Sequence, residues 1–229
     1  MIKSIQAWFI HKQWSGDTSV RPCFFTSELG LLHCLYKGGR TPKKQGSLQP
    51  FTSLWIHLEE RHSQYFVQSV EIEAPSLDLS GTSLFSALYL NELIYYLLKP
   101  LAAEPELFQA YAYTLHHLAL EQKQETIEAL LRRFEWTLLK TCGHSFSLTE
   151  DTRGMPIKYE GYYQFIPGQG MHASAKGFPG KHLLALSSDD LGQSDYRKSA
   201  KILMRQAIDY VLGGREIKAR SLFNPFPNS

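Results

Sequence analysis

The chain has 229 residues, 43% of them hydrophobic and 20% charged, with a formal net charge of +2. That length suits one or two domains with a packed core, and that balance excludes an intrinsically disordered chain. No apolar run approaches the ~18 residues that span a bilayer, and the opening MIKSIQAWFIHKQW is too short an apolar stretch for a secretory signal, so a cytoplasmic location without a membrane partner is expected.

The first 75 or so residues carry a period of two. In KSIQAWFIH the alternating set is Ile5, Ala7 and Phe9. SVRPCFFT (19–26) and LLHCLYK (31–37) flank SELG, a hairpin turn closed by Gly30. Pro22 suits an edge or bulge position. A turn centred on Glu28–Leu29 would set Cys23 opposite Cys34. With only Cys142 besides, the cysteines make no disulfide framework, and small apolar packers in a reducing compartment is the simpler reading. FTSLWIHLE (51–59) and SQYFVQSVEIEA (63–74) complete five strands with a long loop after the third, the strand count of an OB-fold barrel.

From residue 82 the period becomes helical. TSLFSALYLNELIYYLLKP is ended by Pro100, PELFQAYAYTLHHLALEQ opens on Pro105, and ETIEALLRRFEWTLLKTCG stops at Gly143. YYQFIPGQGMHAS reads as a hairpin about Pro167–Gly170. SDYRKSAKILMRQAIDYVLGG is a fourth helix with Asp195 as its N-cap and Gly213–Gly214 at its end. The predicted fold is α+β: an OB-fold β-barrel domain over 1–79, then a mainly α-helical domain over 80–229 with an irregular insertion at about 146–190.

Charge is unevenly spread. Residues 1–58 carry seven cations against two acids, and residues 151–229 carry eleven against seven, while the stretches between are net acidic. Two basic zones point to a polyanion partner. Enzymatic motifs are missing. GFPGKH (177–182) lacks the spacing and the hydroxyl of a phosphate loop. There is no Cys-x-x-Cys or His-Glu-x-x-His, and adjacent His116 and His117 point about 100° apart on a helix. Asp189–Asp190 and Glu59–Glu60 are adjacent pairs of the kind found at solvated corners or helix starts. No catalytic residue, metal or cofactor is assigned.

The specific feature is the loop YKGGRTPKKQG. Lys37, Arg40, Lys43 and Lys44 supply cations, Gly38 allows close approach to phosphates, and Tyr36, Phe51 and Trp55 flank the loop as stacking faces. Such a loop, too glycine-rich to be rigid, would wrap a strand without reading its bases. Alternation puts Leu54, Ile56 and Leu58 on the face opposite Phe51, Ser53 and Trp55, and the aliphatic face is taken as core. A second basic track runs through Arg197, Lys198, Lys201 and Arg205 to Arg215, Lys218 and Arg220. On the third helix, Ile127, Leu130, Leu131, Phe134 and Leu138 form one apolar stripe. Arg132, Arg133, Trp136, Leu139 and Lys140 lie opposite, either as a peptide-docking face or on a helix buried from both sides.

Four segments in order, YKGGR…GSLQPFTSLWIHL, SLFSALYLNELI, ALLRRFEWTLLKTCGHSF and YVLGGREIKARSLF, resemble the RecO recombination-mediator family of bacterial DNA repair. The resemblance implies an OB-fold followed by a helical domain. It also implies binding of single- and double-stranded DNA, annealing of complementary strands, and work with RecR to load RecA onto strands coated by single-stranded-DNA-binding protein (SSB). It sets a Lys-Gly-x-Arg element on Lys37, Gly38 and Arg40. An Arg-Arg-Phe-Glu element on Arg132, Arg133, Phe134 and Glu135 lies in a helix that would dock the acidic SSB C-terminal tail, with Trp136 and Lys140 beside it. Many members carry a four-cysteine zinc module after this helix, and GHSFSLTEDTRGMPIKYEGYY has none of those cysteines, so other packing must hold that region. The loop suits an OB-fold RNA-binding protein of translation equally, and a metal-dependent nuclease and a protein-interaction scaffold with no nucleic-acid role are further alternatives.

Overall fold

The computed structural model describes residues 2–121 and 123–223. The outer ends of the two expected domains, residues 1 and 224–229, and Gln122 at the end of the expected second helix lie outside them. The chain forms two compact units, one up to Leu120 joined by the segment from Ile217, the other Glu121–Glu216.

In the first unit, β1 (Ile2–Ser15), β2 (Ser19–Thr26), β3 (Gly30–Leu35), β4 (Ser53–Arg61) and β5 (Gln64–Ile72) close into a barrel in the order β1-β2-β3-β5-β4. All neighbours are antiparallel except β3 and β5, which run parallel and seal it. This is the OB-type barrel expected from the alternation. Ile5, Ala7 and Phe9 meet Leu54, Ile56, Leu58, Phe24 and Leu32 in one buried core. Pro22 falls between the Cys23–Thr26 ladder to β3 and the isolated Val20–Tyr36 bridge, where no β3 partner needs its missing N–H.

The β2–β3 turn corrects one register. Thr26 pairs with Gly30, so three residues make the turn and Cys23 faces His33 rather than Cys34. The Thr26 hydroxyl fixes this geometry, donating to the Gly30 carbonyl (2.9 Å) and accepting the Leu29 N–H (3.0 Å). Both cysteines are buried free thiols, and burial pushes the Cys23 thiol up to about 12. Gly30 has φ +65°, and a Cβ there would stand 1.7 Å from the Ala102 carbonyl oxygen, so only glycine lets the 100–102 segment cross β3.

Two long helices belong to the same unit, which runs past residue 79 although the last barrel strand ends at Ile72. α2 (Gly81–Leu97) and α3 (Pro105–Leu120) follow a short α1 (Pro42–Gly46). α3 sets Phe108 and Tyr111 edge-on to Phe25, with Tyr111 also against Trp8, on the barrel's outer surface. Asn91 of α2 accepts from the Tyr111 hydroxyl and reaches the Ile10 carbonyl. α7 (Ala219–Leu222) returns to α2, where the Ala219 N–H meets Glu92.

The second unit is built on α4 (Gln124–Thr141) packed against α6 (Ser194–Leu212), with α5 (Gly180–Ser187) and a small sheet of β6 (Tyr162–Ile166), β7 (Gly170–Ser174) and β8 (Phe178–Pro179). The expected hairpin and the left-handed Gly143 and Gly213 stops are present. α6 starts one residue before Asp195, with Gln193 at its N-cap, so Asp195 sits in the first turn and pairs with Lys198. Helix α5 occupies part of the span read as irregular.

Hydrogen bonding holds the segment after α4. The Asp151 carboxylate accepts the Arg153 and Met155 N–H groups (2.8 and 3.0 Å), and the Arg153 guanidinium lies 3.2 Å away. Ladder-like bonds tie Ile157 to Thr149 and Thr152 to Met171. The Met155 N–H above all, with the Arg153 contacts, holds the Asp151 carboxyl below the usual carboxylate range. Stability from this group is therefore present above its unfolded pKa of about 3.9 and lost as pH falls through the lower folded value. Denaturant unfolding followed from pH 5 down to 2 should show the wild type losing more stability than Asp151→Asn, and parallel curves would deny the carboxylate this part.

Candidate nucleic-acid interface

The basic loop proves to be a folded segment. Tyr36 extends β3 by exchanging two backbone hydrogen bonds with Val20 (3.1 and 2.8 Å). The chain then reverses through Gly38 (φ +64°), with the Gly39 N–H on the Tyr36 carbonyl and the Thr41 N–H on the Gly38 carbonyl. A Cβ on Gly39 would lie 2.9 Å from the Tyr36 carbonyl oxygen, so that glycine allows close packing rather than looseness. Pro42 opens α1, which carries Lys43 and Lys44, and Leu48 returns into the barrel core. The expected flexible loop is thus corrected: buried anchors, Tyr36 and Leu48, hold both ends.

The cations are arranged at its surface. Lys44 Nζ donates to the Lys37 carbonyl (2.8 Å) and stands 4.5 Å from the Tyr36 ring centroid. Lys37 Nζ lies 5.5 Å from the Phe66 ring. The Arg40 guanidinium is 4.9 Å from the Trp14 ring, and its Nε donates to the Ser19 carbonyl (3.4 Å). Lys37 and Lys43 are exposed, while Arg40 and Lys44 are half-buried. Among the described residues, none of the four sits in an ion pair with a carboxylate. Four uncompensated charges on one short, ordered segment make an open positive surface.

The flanking aromatics need correction. Tyr36 is 3% exposed and belongs to the barrel core, and Phe51 is buried with φ +58° just before β4, so neither offers a stacking face. Trp55 is 38% exposed, but its indole N–H donates to Glu73 (3.1 Å), a carboxylate that Ser53 and Gln6 also bind and hold below its usual pKa. A carboxylate beside the ring is unsuited to a polyanion. Sequence reasoning missed Trp14, which is 56% exposed and lies under Arg40 and Lys12. Its one signal is its isolation in HKQWSGD, a polar stretch leading into the β1–β2 turn.

The second basic track divides between the two units. On α6, Arg197 pairs with Glu128 (3.4 Å) and donates to the Leu191 and Gly192 carbonyls, Lys198 pairs with Asp195, and Arg205 pairs with Asp209. Lys201 is exposed. Lys218 and Arg220 belong to the barrel unit, Lys218 exposed and Arg220 over the Tyr89 ring at 5.8 Å. Carboxylates compensate much of this zone, unlike the 37–44 segment.

On α4 the apolar stripe Ile127, Leu130, Leu131, Phe134 and Leu138 is buried as expected, but the opposite side is not all outward. Leu139 is buried, and Arg132 is 6% exposed, its Nη2 and Nε each 2.7 Å from the carboxylate of Glu135, itself 1% exposed. The helix is covered on two sides, which a helical wheel alone cannot reveal. Arg133 remains at the surface with both Asp189 oxygens within 2.8 Å of its Nε, so Asp189 serves as an ion-pair partner and not as a helix start. Trp136 stands edge-on to Phe146 (5.1 Å), and Lys140 is exposed. Arg132, Arg133, Trp136, Phe146, Leu186 and Leu191 are among the lining of a groove of about 480 Å³. Among the described residues, no group of three or more histidines, cysteines or acids gathers to hold a metal, and no helix is long and apolar enough to cross a membrane.

Residues 79–216 match the family model described as the C-terminal part of recombination protein O. DNA repair protein RecO of Legionella pneumophila (strain Corby) is 57% identical over 225 residues, covering 97% of this chain and 98% of that protein. The protein of the same name from Pseudomonas aeruginosa (strain LESB58) is 38% identical over 221 residues, covering 94% and 92%. That from Tolumonas auensis (strain DSM 9187 / NBRC 110442 / TA 4) is 34% identical over 228 residues, covering 96% and 94%. A closed barrel with a charged, ordered segment, a helical unit after it and near full-length similarity to these relatives agree: the chain belongs to the RecO family of DNA repair proteins.

Proposed function

We propose that this protein is a non-enzymatic mediator of DNA repair in the bacterial cytoplasm, working at the nucleoid. It binds single- and double-stranded DNA, anneals complementary strands and, with RecR, helps load RecA onto SSB-coated DNA. The observation that carries this reading is the set of Lys37, Arg40, Lys43 and Lys44, held on an ordered segment with no carboxylate partner among the described residues. Such a set binds phosphates by releasing counterions and carries no base preference of its own. Neutralising two strands on one surface lowers their mutual repulsion, which favours annealing. Lys201, Lys218 and Arg220 are secondary phosphate contacts in this scheme. Arg197, Lys198 and Arg205 join only by exchanging carboxylate partners.

The α4 groove suits an acidic peptide ending in an aromatic residue. Trp136, Phe146, Leu186 and Leu191 supply the apolar seat, and Arg133 supplies charge at its rim, with Lys140 farther along the helix. The Arg133–Asp189 pair is exposed, so an incoming carboxylate exchanges it at a cost of about 0–1 kcal/mol. Buried Arg132 lines the groove with its guanidinium held in place by Glu135.

Strand annealing on naked and SSB-coated oligonucleotides tests the proposal, with tail-truncated SSB as the control. Wild type should anneal both substrates. Trp136→Ala should anneal only the naked strands well, and tail truncation should copy that defect on wild type. Absence of annealing on naked strands would contradict the proposal.

A further inference from the structure

Trp14 has no evident structural reason to be a tryptophan. It sits near the end of β1, opposite Val20 of β2, and more than half its surface meets solvent. Leaving so large an apolar ring in water forgoes much of the stabilisation that burying it would provide. Its surroundings are cationic. Lys12 Nζ lies 5.6 Å from the ring centroid and the Arg40 guanidinium 4.9 Å. Arg40 is fixed to the same hairpin, with its N–H on the Thr18 carbonyl (3.0 Å) and its Nε on the Ser19 carbonyl. The ring and the basic segment therefore form one ordered surface.

We propose that Trp14 is a stacking platform for an unpaired nucleobase, with Arg40 and Lys12 contacting the phosphates on either side of that base. An indole face accepts any base, and cations beside it suit a backbone that carries one negative charge per nucleotide. In a duplex the base faces are already stacked, so the platform favours single strands where the lysines alone do not. Arg40 and Lys12 leave the ring for the phosphates at small cost, because an exposed cation–π contact is weak. This rests on the reading that the 37–44 segment binds nucleic acid and adds the residue that senses strandedness.

The test uses the full chain and fluorescent oligothymidine, an abasic oligonucleotide of equal length, and a duplex. Trp14→Ala should weaken oligothymidine binding about 5- to 150-fold. It should leave the abasic strand and the duplex within about twofold and the melting temperature unchanged, and Trp14→Phe should recover most of the affinity. Oligouridine run alongside tells whether DNA or RNA supplies the base, and a Trp14-dependent loss on either supports stacking. Unchanged oligothymidine binding by Trp14→Ala, or an equal loss on the abasic strand, would overturn the proposal. Should wild type bind none of these ligands in a salt-dependent way, the underlying reading of the basic segment fails instead.

Discussion

Glu135→Ala will destabilise the second unit by about 3–5 kcal/mol, the usual cost of removing one partner from a buried ion pair. Arg132 and Glu135 stand three residues apart on α4, both almost fully buried, with two contacts of 2.7 Å between them. Deleting the carboxylate leaves a guanidinium that is only 6% exposed without this partner, where solvation is a poor substitute. Replacing both members with apolar residues of similar volume should instead be near neutral or stabilising, since the pair itself mostly repays its own desolvation. Urea unfolding of Glu135→Ala and of Arg132→Met/Glu135→Leu separates the cases. A Glu135→Ala loss below about 1 kcal/mol would place the pair in the class of solvated surface bridges. The same contrast shows why Arg133→Ala or Trp136→Ala is the better probe of the groove than Arg132→Ala, whose effect passes through the fold.

Replacing Lys37, Lys43 and Lys44 together with alanine should weaken single-strand binding about a hundredfold at roughly 0.1 M salt. Each single-strand phosphate contact contributes about 0.7 to the log–log salt slope, so it is worth about fivefold at that concentration relative to 1 M. Fluorescence anisotropy at several salt concentrations reads this directly. Stability should change little, since Lys37 and Lys43 are exposed, the contacts of Lys37 with the Phe66 ring and of Lys44 with the Tyr36 ring are weak, and Lys44 adds one exposed bond to a carbonyl. Arg40 is left in place because its guanidinium also ties the segment to the Ser19 carbonyl.

The barrel was legible because its pattern is short-range. Ile5, Ala7 and Phe9, then Leu54, Ile56 and Leu58, recur at a period of two, and a strand's two faces must differ when one is the barrel core. The stripe on α4 was legible for the matching reason at helical period. What failed depended on contacts distant in sequence. No wheel says whether the second side of α4 meets solvent, so the sequence leaves a docking face and a doubly buried helix both open, and only the fold shows Arg132 and Leu139 buried. The five residues of α1 are too few to show a period, leaving Pro42 as their one signal, so the segment read as a flexible loop. Tyr36 looked like a loop aromatic because its bridge to Val20 spans a reversal of the chain. Cys23 and Cys34 were set opposite each other by a turn centre half a residue off. Trp14 belongs to no periodic pattern, and only its place beside Arg40 gives it meaning.

On this reading the 37–44 segment is an open cationic surface for phosphates. It is tested most directly by the slope of log affinity against log salt on a single strand, for wild type and the Lys37/Lys43/Lys44 triple alanine variant. The magnitude of the slope should fall by about 2 in the variant. Equal slopes for the two proteins would contradict it.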